Sequence, residues 1–247
     1  MNTRFSCIGK PWLSAARVCV ALFLSFALVS AGISPAYADV RLADIVYGES
    51  VEDRSLSVAQ CPSIDAQYAY VMDTEGTVYF QRNADTETQI ASITKVMTAI
   101  VALENASLDT AITVSAAAAA IGESSASLKE GDVLTLDQAL TAMLVSSGND
   151  AALAIAETLG APWAVSGQSA VQAFAEKMNE KADQLGMGHS VFENPHGLDF
   201  DAYAGSLHST AHDVATMCAH AMQNEVFRGI VRQSSAQVVL MRAGEKA

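Results

Sequence analysis

The sequence predicts an α+β fold with helices packed on an antiparallel sheet, and three observations support this prediction. Residues 66–85 read AQYAYVMDTEGTVYFQRNAD, which is typical of two strands around a turn. Several amphipathic segments with recognisable helix caps follow these strands. Residues 237–241, QVVLM, then predict one more strand. Helices that lie between strands, without regular alternation, indicate an α+β arrangement.

The N-terminal segment has the pattern of an export signal. Three basic residues precede an apolar run at residues 18–33, and residues 36–38 read AYA, the small-x-small pattern of a cleavage site. The alternative is an uncleaved anchor, for which the run is short. We therefore expect a signal peptide at residues 1–38, a loosely structured lead-in at residues 39–64, and a folded domain at residues 65–247.

The first predicted hairpin rests on side-chain alternation. Tyr68, Tyr70 and Met72 fall on one side of the first strand, and Val78 and Phe80 fall on one side of the second. Aromatic and β-branched residues on both sides of a glycine-containing turn favour antiparallel pairing.

The helices that follow are predicted by apolar periodicity and by their caps. Gly160 and Gly186 are expected to end two of them, and residues 169–185 form one helix with Val171, Phe174, Met178 and Leu185 inward. The predicted helix starts after the first helix are Ser115, the capping box of Thr135 and Gln138, Asn149 or Asp150, Ser169, and Thr210 with Asp213.

Only two or three strands are recognisable in the sequence. A lone hairpin is marginally stable in water, and this many helices need a larger sheet to pack against. The prediction is therefore that the sheet is incomplete in this chain and that the chain is a truncated reading frame or a gene fragment.

Charge and cysteine content exclude several classes of protein. The chain holds 14 basic and 27 acidic residues, and three of the basic ones lie in the leader. This acidity argues against a nucleic-acid partner, because phosphates require Lys and Arg. Cys61 and Cys218 remain after the leader, and we expect two independent thiols although a disulfide is open to an exported protein. No cysteine spacing suits a metal.

Ser92 and Lys95 form the first candidate site. Residues three apart share one face of a helix, and Lys95 lies in an apolar stripe. Burial disfavours the ammonium form, so this lysine is expected to deprotonate more readily than a free lysine and to act as a general base beside a hydroxyl nucleophile. The stripe consists of Ile93, Val96, Met97, Ile100 and Val101.

Ser147 and Asn149 form the second candidate element. Ser147-Gly148-Asn149 lies at a predicted break between two helices, where side chains are presented to solvent by rigid neighbours. Asn149 can be a helix cap and nothing more, or it can cap the helix while Ser147 is still presented at the break.

These segments resemble the D-alanyl-D-alanine carboxypeptidase family, the low-molecular-mass penicillin-binding proteins of the serine β-lactamase-like superfamily. The similar segments are IASITKVMTA around Ser92, MLVSSGNDAA around Ser147, FENPHGLD and HSTAHDVA. The resemblance implies a β-lactamase/transpeptidase-like fold, an antiparallel sheet with helices on both faces. It also implies peptidoglycan stem peptides ending in D-Ala-D-Ala as substrates, β-lactams as inhibitors, no cofactor, and a role in cell-wall organisation and cell shape.

The resemblance also implies a role for each matching residue. Ser92 attacks the carbonyl between the terminal D-alanines and is acylated, and its backbone N–H is one oxyanion donor. Lys95 accepts the serine proton, Ser147 relays a proton to the leaving D-alanine, and Asn149 binds the substrate amide. The protein is expected to be extracytoplasmic, in the cell envelope, with membrane association only through a missing C-terminal segment.

One motif of the family has no counterpart in the sequence. No Lys-Thr-Gly or Lys-Ser-Gly follows HSTAHDVA, and the expectation of truncation rests partly on this. The alternatives to a carboxypeptidase are an endopeptidase, a β-lactamase, and a non-catalytic fragment.

Three histidines invite other interpretations. His208 and His212 are four residues apart, but the pattern lacks the glutamate of a zinc peptidase, and no metal is expected. His196 is expected to order its loop rather than to act as a base, because Lys95 already fills that role.

Overall fold

The structure, a computed structural model, describes residues 43–55, 64–242 and 245–246, without the side chains of the last short strands. The predicted signal peptide and residues 56–63 of the predicted lead-in, with Cys61, lie outside these residues. Cys218 is a free thiol. Within the described part of the chain, no helix is long and apolar enough to cross a bilayer.

The first sheet is antiparallel and contains the predicted hairpin. Strand β3 (Ala69–Met72) pairs with β4 (Val78–Arg82), as the alternation predicts. Two strands of two residues each, β1 (Ile45–Val46) and β2 (Glu49–Ser50), complete the order β2-β1-β4-β3. The expectation of a loosely structured lead-in is therefore wrong for this part of residues 39–64.

A buried ion pair fastens this early segment to the sheet. Arg82 on β4 contacts Asp44, just before β1, through Nε at 2.8 Å and Nη2 at 2.6 Å, and both side chains are almost fully buried. Nη1 of Arg82 also donates to the carbonyls of Ile64 and Ala66. Buried charges need such paired hydrogen bonds to offset their desolvation, so the pair fixes residues 44–46 to β4.

The second sheet has the order β5-β6-β7-β8 and is antiparallel. Its strands β5 (Ala111–Thr113) and β6 (Asp132–Thr135) were not predicted from the sequence. The predicted strand at residues 237–241 forms only from its last residue, since β7 is Met241–Arg242 and β8 is Glu245–Lys246.

Seven α-helices lie within the described residues, and each predicted helix is found. The capping box at Thr135, the side-chain caps at Ser115 and Thr210, and a left-handed Gly186 after the helix Ala170–Leu185 mark helix ends as predicted. Ser169 starts its helix as predicted, and its capping box with Gln172 was not identified from the sequence. The last helix was not predicted. The helices are α1 (Thr94–Asn105), α2 (Ala116–Ala120), α3 (Leu136–Val145), α4 (Asn149–Gly160), α5 (Ala170–Leu185), α6 (Ala211–Ala221) and α7 (Glu225–Val231).

One large core joins the helices to the second sheet. The fully buried side chains of this core include Met97 on α1, Leu140 on α3, Ile155 on α4 and Phe174 on α5. Helix α6 packs on β3 of the first sheet and α4 packs on β5 of the second. The predicted α+β fold with antiparallel sheets is confirmed, and its strands belong to two sheets. The core holds α1, α3 and α4 in fixed relation, and the candidate residues lie on these helices or in the turns next to them.

Candidate active site

Ser92 lies in a single 3-10 turn, Ala91–Ile93, directly before α1. Ala91 has a φ of +45°, and Ser92 is exposed. The predicted apolar stripe is confirmed as buried at Met97, Ile100 and Val101. It is wrong for Ile93, which is 44% exposed because the 3-10 turn places it outside the regular helix.

Lys95, in the first turn of α1, is only 2% exposed and makes three hydrogen bonds from Nζ. The acceptors are Ser92 Oγ at 2.9 Å, Ser147 Oγ at 3.4 Å and the carbonyl oxygen of His196 at 3.0 Å. An ammonium group has three N–H donors and no acceptor, so these three contacts satisfy its protonated form. The sequence-predicted pair of Ser92 and Lys95 is thus in direct contact, with Ser147 beside it.

Burial lowers the pKa of Lys95 from 10.5 to about 8, and the negative charge of Asp150 partly opposes this shift. A lysine with a pKa near neutrality holds a usable fraction of neutral amine at physiological pH. The neutral amine keeps two N–H groups and gains a lone pair, which can accept the hydroxyl proton of a neighbouring serine.

Ser147 lies in the tight turn between α3 and α4. Its φ of +58° belongs to the left-handed region, which is costly for a residue other than glycine. Such conformations persist where contacts with the surrounding structure hold the backbone in place. Here the turn aims the Ser147 hydroxyl at Lys95.

Asn149 is the first residue of α4 and is 1% exposed. The N-cap is Gly148 without a side-chain cap, so the prediction that Asn149 or Asp150 caps this helix is wrong. The amide nitrogen Nδ2 of Asn149 donates to the carbonyl of Gly122 at 3.2 Å. Its buried Oδ1 makes no hydrogen bond within the described residues.

A loop from Asn194 to Leu198 packs against Lys95. Asn194 Oδ1 accepts from the backbone N–H groups of His196 and Gly197, and its Nδ2 donates to the carbonyl of Leu198. The loop thereby directs two backbone carbonyls toward α1. The carbonyl of Pro195 accepts a hydrogen bond from Thr98 Oγ1 at 2.7 Å, and the carbonyl of His196 accepts one from Lys95 Nζ. Sequence reasoning missed this contact, because backbone carbonyls leave no signature in side-chain patterns.

Gly197 brings the same loop against the serine turn. Its φ is +86°, and a Cβ at this position would lie 1.9 Å from the carbonyl oxygen of Ala91. Only glycine accommodates both the conformation and the close approach. The loop therefore packs directly on the turn that carries Ser92.

His196 is 1% exposed and orders this loop, with its Nδ1 accepting from the backbone N–H of Leu198 at 3.2 Å. Burial, with a smaller contribution from the positive charge of Lys95, lowers the pKa of His196 to about 4. The imidazole is therefore neutral at physiological pH, and Lys95 contacts its carbonyl rather than its ring.

The other histidines contact a backbone carbonyl or a carboxylate. His208 Nδ1 contacts the carbonyl of Ser206, while His212 Nδ1 faces Asp85 at 3.1 Å. No group of three or more potential metal ligands occurs among the residues that the structure describes.

The family model of the D-alanyl-D-alanine carboxypeptidases matches residues 55–240. This chain belongs to that family. The match extends from the first sheet through α7, so it includes the Ser92 turn, the Ser147 turn and the loop of Asn194.

Curated relatives agree with this membership. A D-alanyl-D-alanine carboxypeptidase of Streptomyces sp. is 34% identical over 181 residues, which are 69% of this chain and 59% of that protein. One from Mycobacterium tuberculosis is 35% identical over 176 residues, covering 71% of this chain and 57% of that protein. The chain thus spans under two thirds of the length of these relatives.

Solved structures share the fold. The crystal structure of a Streptomyces DD-transpeptidase superposes with a TM-score of 0.67 at 32% identity, covering 75% of this chain and 71% of that one. The D-alanyl-D-alanine carboxypeptidase DacD of Francisella tularensis gives a TM-score of 0.61 at 35% identity, covering 69% and 40%. The β-lactamase/transpeptidase-like fold expected from the resemblance is confirmed.

Proposed function

We propose that this member of the family is a serine-type D-Ala-D-Ala carboxypeptidase, which removes the terminal D-alanine from peptidoglycan stem peptides. The observation that carries the proposal is the position of Lys95 Nζ, within 2.9 Å of Ser92 Oγ and 3.4 Å of Ser147 Oγ in a buried setting. A nucleophile, a base of lowered pKa and a second hydroxyl are the groups that acyl transfer requires.

Acylation begins when neutral Lys95 accepts the hydroxyl proton of Ser92. The serine oxygen attacks the carbonyl carbon of the peptide bond between the two D-alanines, and the electron pair of the carbonyl moves to its oxygen. That oxyanion lies near the start of α1, where the backbone N–H of Ser92 and the helix dipole stabilise negative charge.

Collapse of the tetrahedral intermediate breaks the bond from carbon to nitrogen. The proton held by Lys95 passes through the hydroxyl of Ser147 to the nitrogen of the leaving D-alanine, and an ester on Ser92 remains. The 3.4 Å contact between Lys95 and Ser147 supports this route, because catalytic hydrogen bonds are often long without substrate and shorten in the complex. Water then hydrolyses the ester and restores Ser92.

Asn149 is the proposed contact for the amide of the substrate. Its Nδ2 is held by Gly122, and its buried Oδ1 is free to accept an N–H from a bound peptide. A buried acceptor without a partner is costly, so a substrate N–H at this position would be favoured. A β-lactam amide presents a similar group, and we expect β-lactams to acylate Ser92 and to leave slowly.

The site of action in this proposal is the cell envelope, outside the cytoplasm. The pattern of residues 1–38 supports export, and the acidic composition of the chain suits a soluble extracytoplasmic enzyme. Roles in peptidoglycan synthesis, cell-wall organisation and cell shape would follow from cleavage of stem peptides.

Release of D-alanine from a synthetic peptide that ends in D-Ala-D-Ala tests the proposal. The wild-type chain should release D-alanine, while Ser92→Ala should not. Ser166→Ala is the matched control, because Ser166 is exposed in the connection between α4 and α5. A folded wild-type chain that releases no D-alanine would favour the alternative of a non-catalytic member of the family.

Transfer to an amine is a second candidate outcome of the same chemistry. The solved Streptomyces relative is titled a DD-transpeptidase, whereas the curated Streptomyces relative is named a carboxypeptidase. Adding a simple amine acceptor such as glycylglycine to the same assay separates hydrolysis from transfer, because transfer yields a longer peptide.

A further inference from the structure

A buried carboxylate next to the second motif holds a neighbouring loop in place. Asp150 is 1% exposed in the first turn of α4. Its Oδ1 accepts from the backbone N–H groups of Ala126 at 3.0 Å and Ala151 at 2.9 Å. Its Oδ2 accepts from Ser125 Oγ at 2.6 Å and from the N–H of Leu128 at 3.1 Å. Three of the four donors belong to the connection between α2 and β6.

That connection, residues 122–128, contacts the turn that carries Ser147 and Asn149. Ser124 Oγ donates to the carbonyl of Ser146 at 3.0 Å, and the carbonyl of Ser124 accepts from the N–H of Asn149 at 2.8 Å. The carbonyl of Gly122 holds the Asn149 side chain. The 122–128 loop therefore determines where the Asn149 amide points.

The 122–128 loop has a conformation that needs an external anchor. Glu123 and Ser127 have φ values of +57° and +63°, which are unfavourable for residues with a side chain, and Gly122 is also left-handed. The bonds to Asp150 come from residues on both sides of Ser127. Strained backbone of this kind persists only where surrounding contacts fix it.

Gly148 makes room for this arrangement. Its φ of −62° is ordinary, so the glycine is not required for backbone freedom. A Cβ on Gly148 would lie 2.7 Å from Asp150 Oδ1 and 3.0 Å from the Cβ of Ala126. The glycine between Ser147 and Asn149 thus leaves the space that the carboxylate and the loop occupy.

We propose that Asp150 is a positioning residue for the reaction, which anchors the 122–128 loop and through it orients Asn149 toward the substrate. This inference rests on the proposed function for its catalytic meaning. The carboxylate also acts on the base electrostatically, since its negative charge favours the protonated form of Lys95. Among the residues that the structure describes, Lys95 also contacts the hydroxyls of Ser92 and Ser147 and the carbonyl of His196, whose ring is neutral. Within the same residues, Asp150 is the carboxylate whose charge acts on the pKa of Lys95.

The Asp150→Asn variant separates this role from general loss of stability. An asparagine keeps the shape but replaces one oxygen by an N–H donor. With that donor in the place of Oδ2, it would face the buried N–H of Leu128. The loop loses an anchor and Lys95 loses a nearby negative charge. Asp183→Asn is the control, because Asp183 is an exposed aspartate near the end of α5 and its change removes the same charge.

Two measurements on the full chain test the proposal without any substrate. Amide hydrogen exchange should be at least about 10-fold faster at Ala126 and Leu128 in Asp150→Asn than in the wild type, since exchange follows local opening. Titration of carbon-13-labelled Lys95 by NMR should give a midpoint below that of the wild type. Both quantities should be unchanged in Asp183→Asn.

A second variant keeps the proposal testable if Asp150→Asn does not fold. Ser125→Ala removes one hydrogen bond to the carboxylate and leaves its charge, so faster exchange should be confined to residues 124–128. Unchanged exchange in this loop in both variants overturns the proposal, and an unshifted Lys95 midpoint in folded Asp150→Asn overturns the electrostatic effect of Asp150 on the base. Because neither measurement needs catalysis, a wild-type chain that binds no penicillin counts against the proposed function alone.

Discussion

The amine of Lys95 lies 2.9 Å from the hydroxyl oxygen of Ser92, and this contact is made in a setting that leaves the lysine only 2% exposed. Ser92 and Lys95 are three positions apart, across the junction of the 3-10 turn and α1, so local geometry brings their side chains together. The carbonyl of His196 and the hydroxyl of Ser147, from distant parts of the chain, then fix the amine in one place.

Replacement of Lys95 by arginine should abolish the function of the site while keeping a positive charge. A guanidinium does not give up its proton at accessible pH, and general-base catalysis contributes roughly 100-fold or more to such a reaction. We expect the rate of acylation by a fluorescent penicillin to fall at least about 100-fold in Lys95→Arg. Lys129→Arg, at an exposed position, should label at the wild-type rate. Normal labelling of Lys95→Arg would exclude the general-base role.

Acylation should depend on pH through the titration of Lys95. Its pKa of about 8 lies below the ordinary value, and the reactive form is the neutral amine, so the rate should increase with pH. Well below pH 8 the neutral fraction changes about 10-fold for each pH unit, and above pH 8 the rate should reach a plateau. Stopped-flow acylation between pH 5.5 and 9.5 measures this curve, and a rate that decreases across this range would contradict the assignment.

The same curve should lack a histidine step. The pKa of His196 is lowered to about 4, so this imidazole stays neutral throughout the range in which Lys95 titrates. A plot of log rate against pH should therefore be straight from about pH 5.5 to 7.5. A break near pH 6.5 that disappears in His196→Asn would show that the ring takes part.

Alanine at position 197 should distort the serine turn. The φ of +86° costs about 1 kcal/mol for a residue with a side chain, and the overlap with the Ala91 carbonyl costs roughly 1–3 kcal/mol more. We expect a free energy of unfolding lower by about 2–4 kcal/mol in urea denaturation, together with slower labelling by penicillin. Gly188→Ala is the matched control, because a Cβ there meets nothing within 4 Å. Equal stability of the two variants would contradict both the cost of the left-handed conformation and the tight contact with Ala91.

Local signals explain what the sequence predicts correctly. The capping box at Thr135 and the left-handed Gly186 are determined by neighbours three or four residues away, so they can be identified without tertiary information. The contact between Ser92 and Lys95 has the same local origin. Ser147 required more, because its position beside Lys95 depends on how α3 and α4 pack, and only the motif resemblance indicated it.

The features that the sequence did not predict depend on contacts between distant residues. Strands β5 and β6 have three and four residues and are separated by a helix and a long connection, so neither shows enough alternation to be recognised. The roles of Asp150 and Asn194 arise from backbone groups that surround their side chains. The loop itself was expected from the sequence, but the role of Asn194 in it was not. Asn194-Pro195 is a turn signal, and it is the sequence feature that could have indicated this role.

Mass spectrometry of the penicillin adduct tests the central claim, that Ser92 is the nucleophile, most directly. The intact chain would be incubated with benzylpenicillin, quenched in acid, digested and sequenced by fragmentation. We expect one adduct per chain, on Ser92 within the peptide of residues 83–95, and none in Ser92→Ala. An adduct on Ser147 or elsewhere, or an adduct that persists in Ser92→Ala, would contradict it.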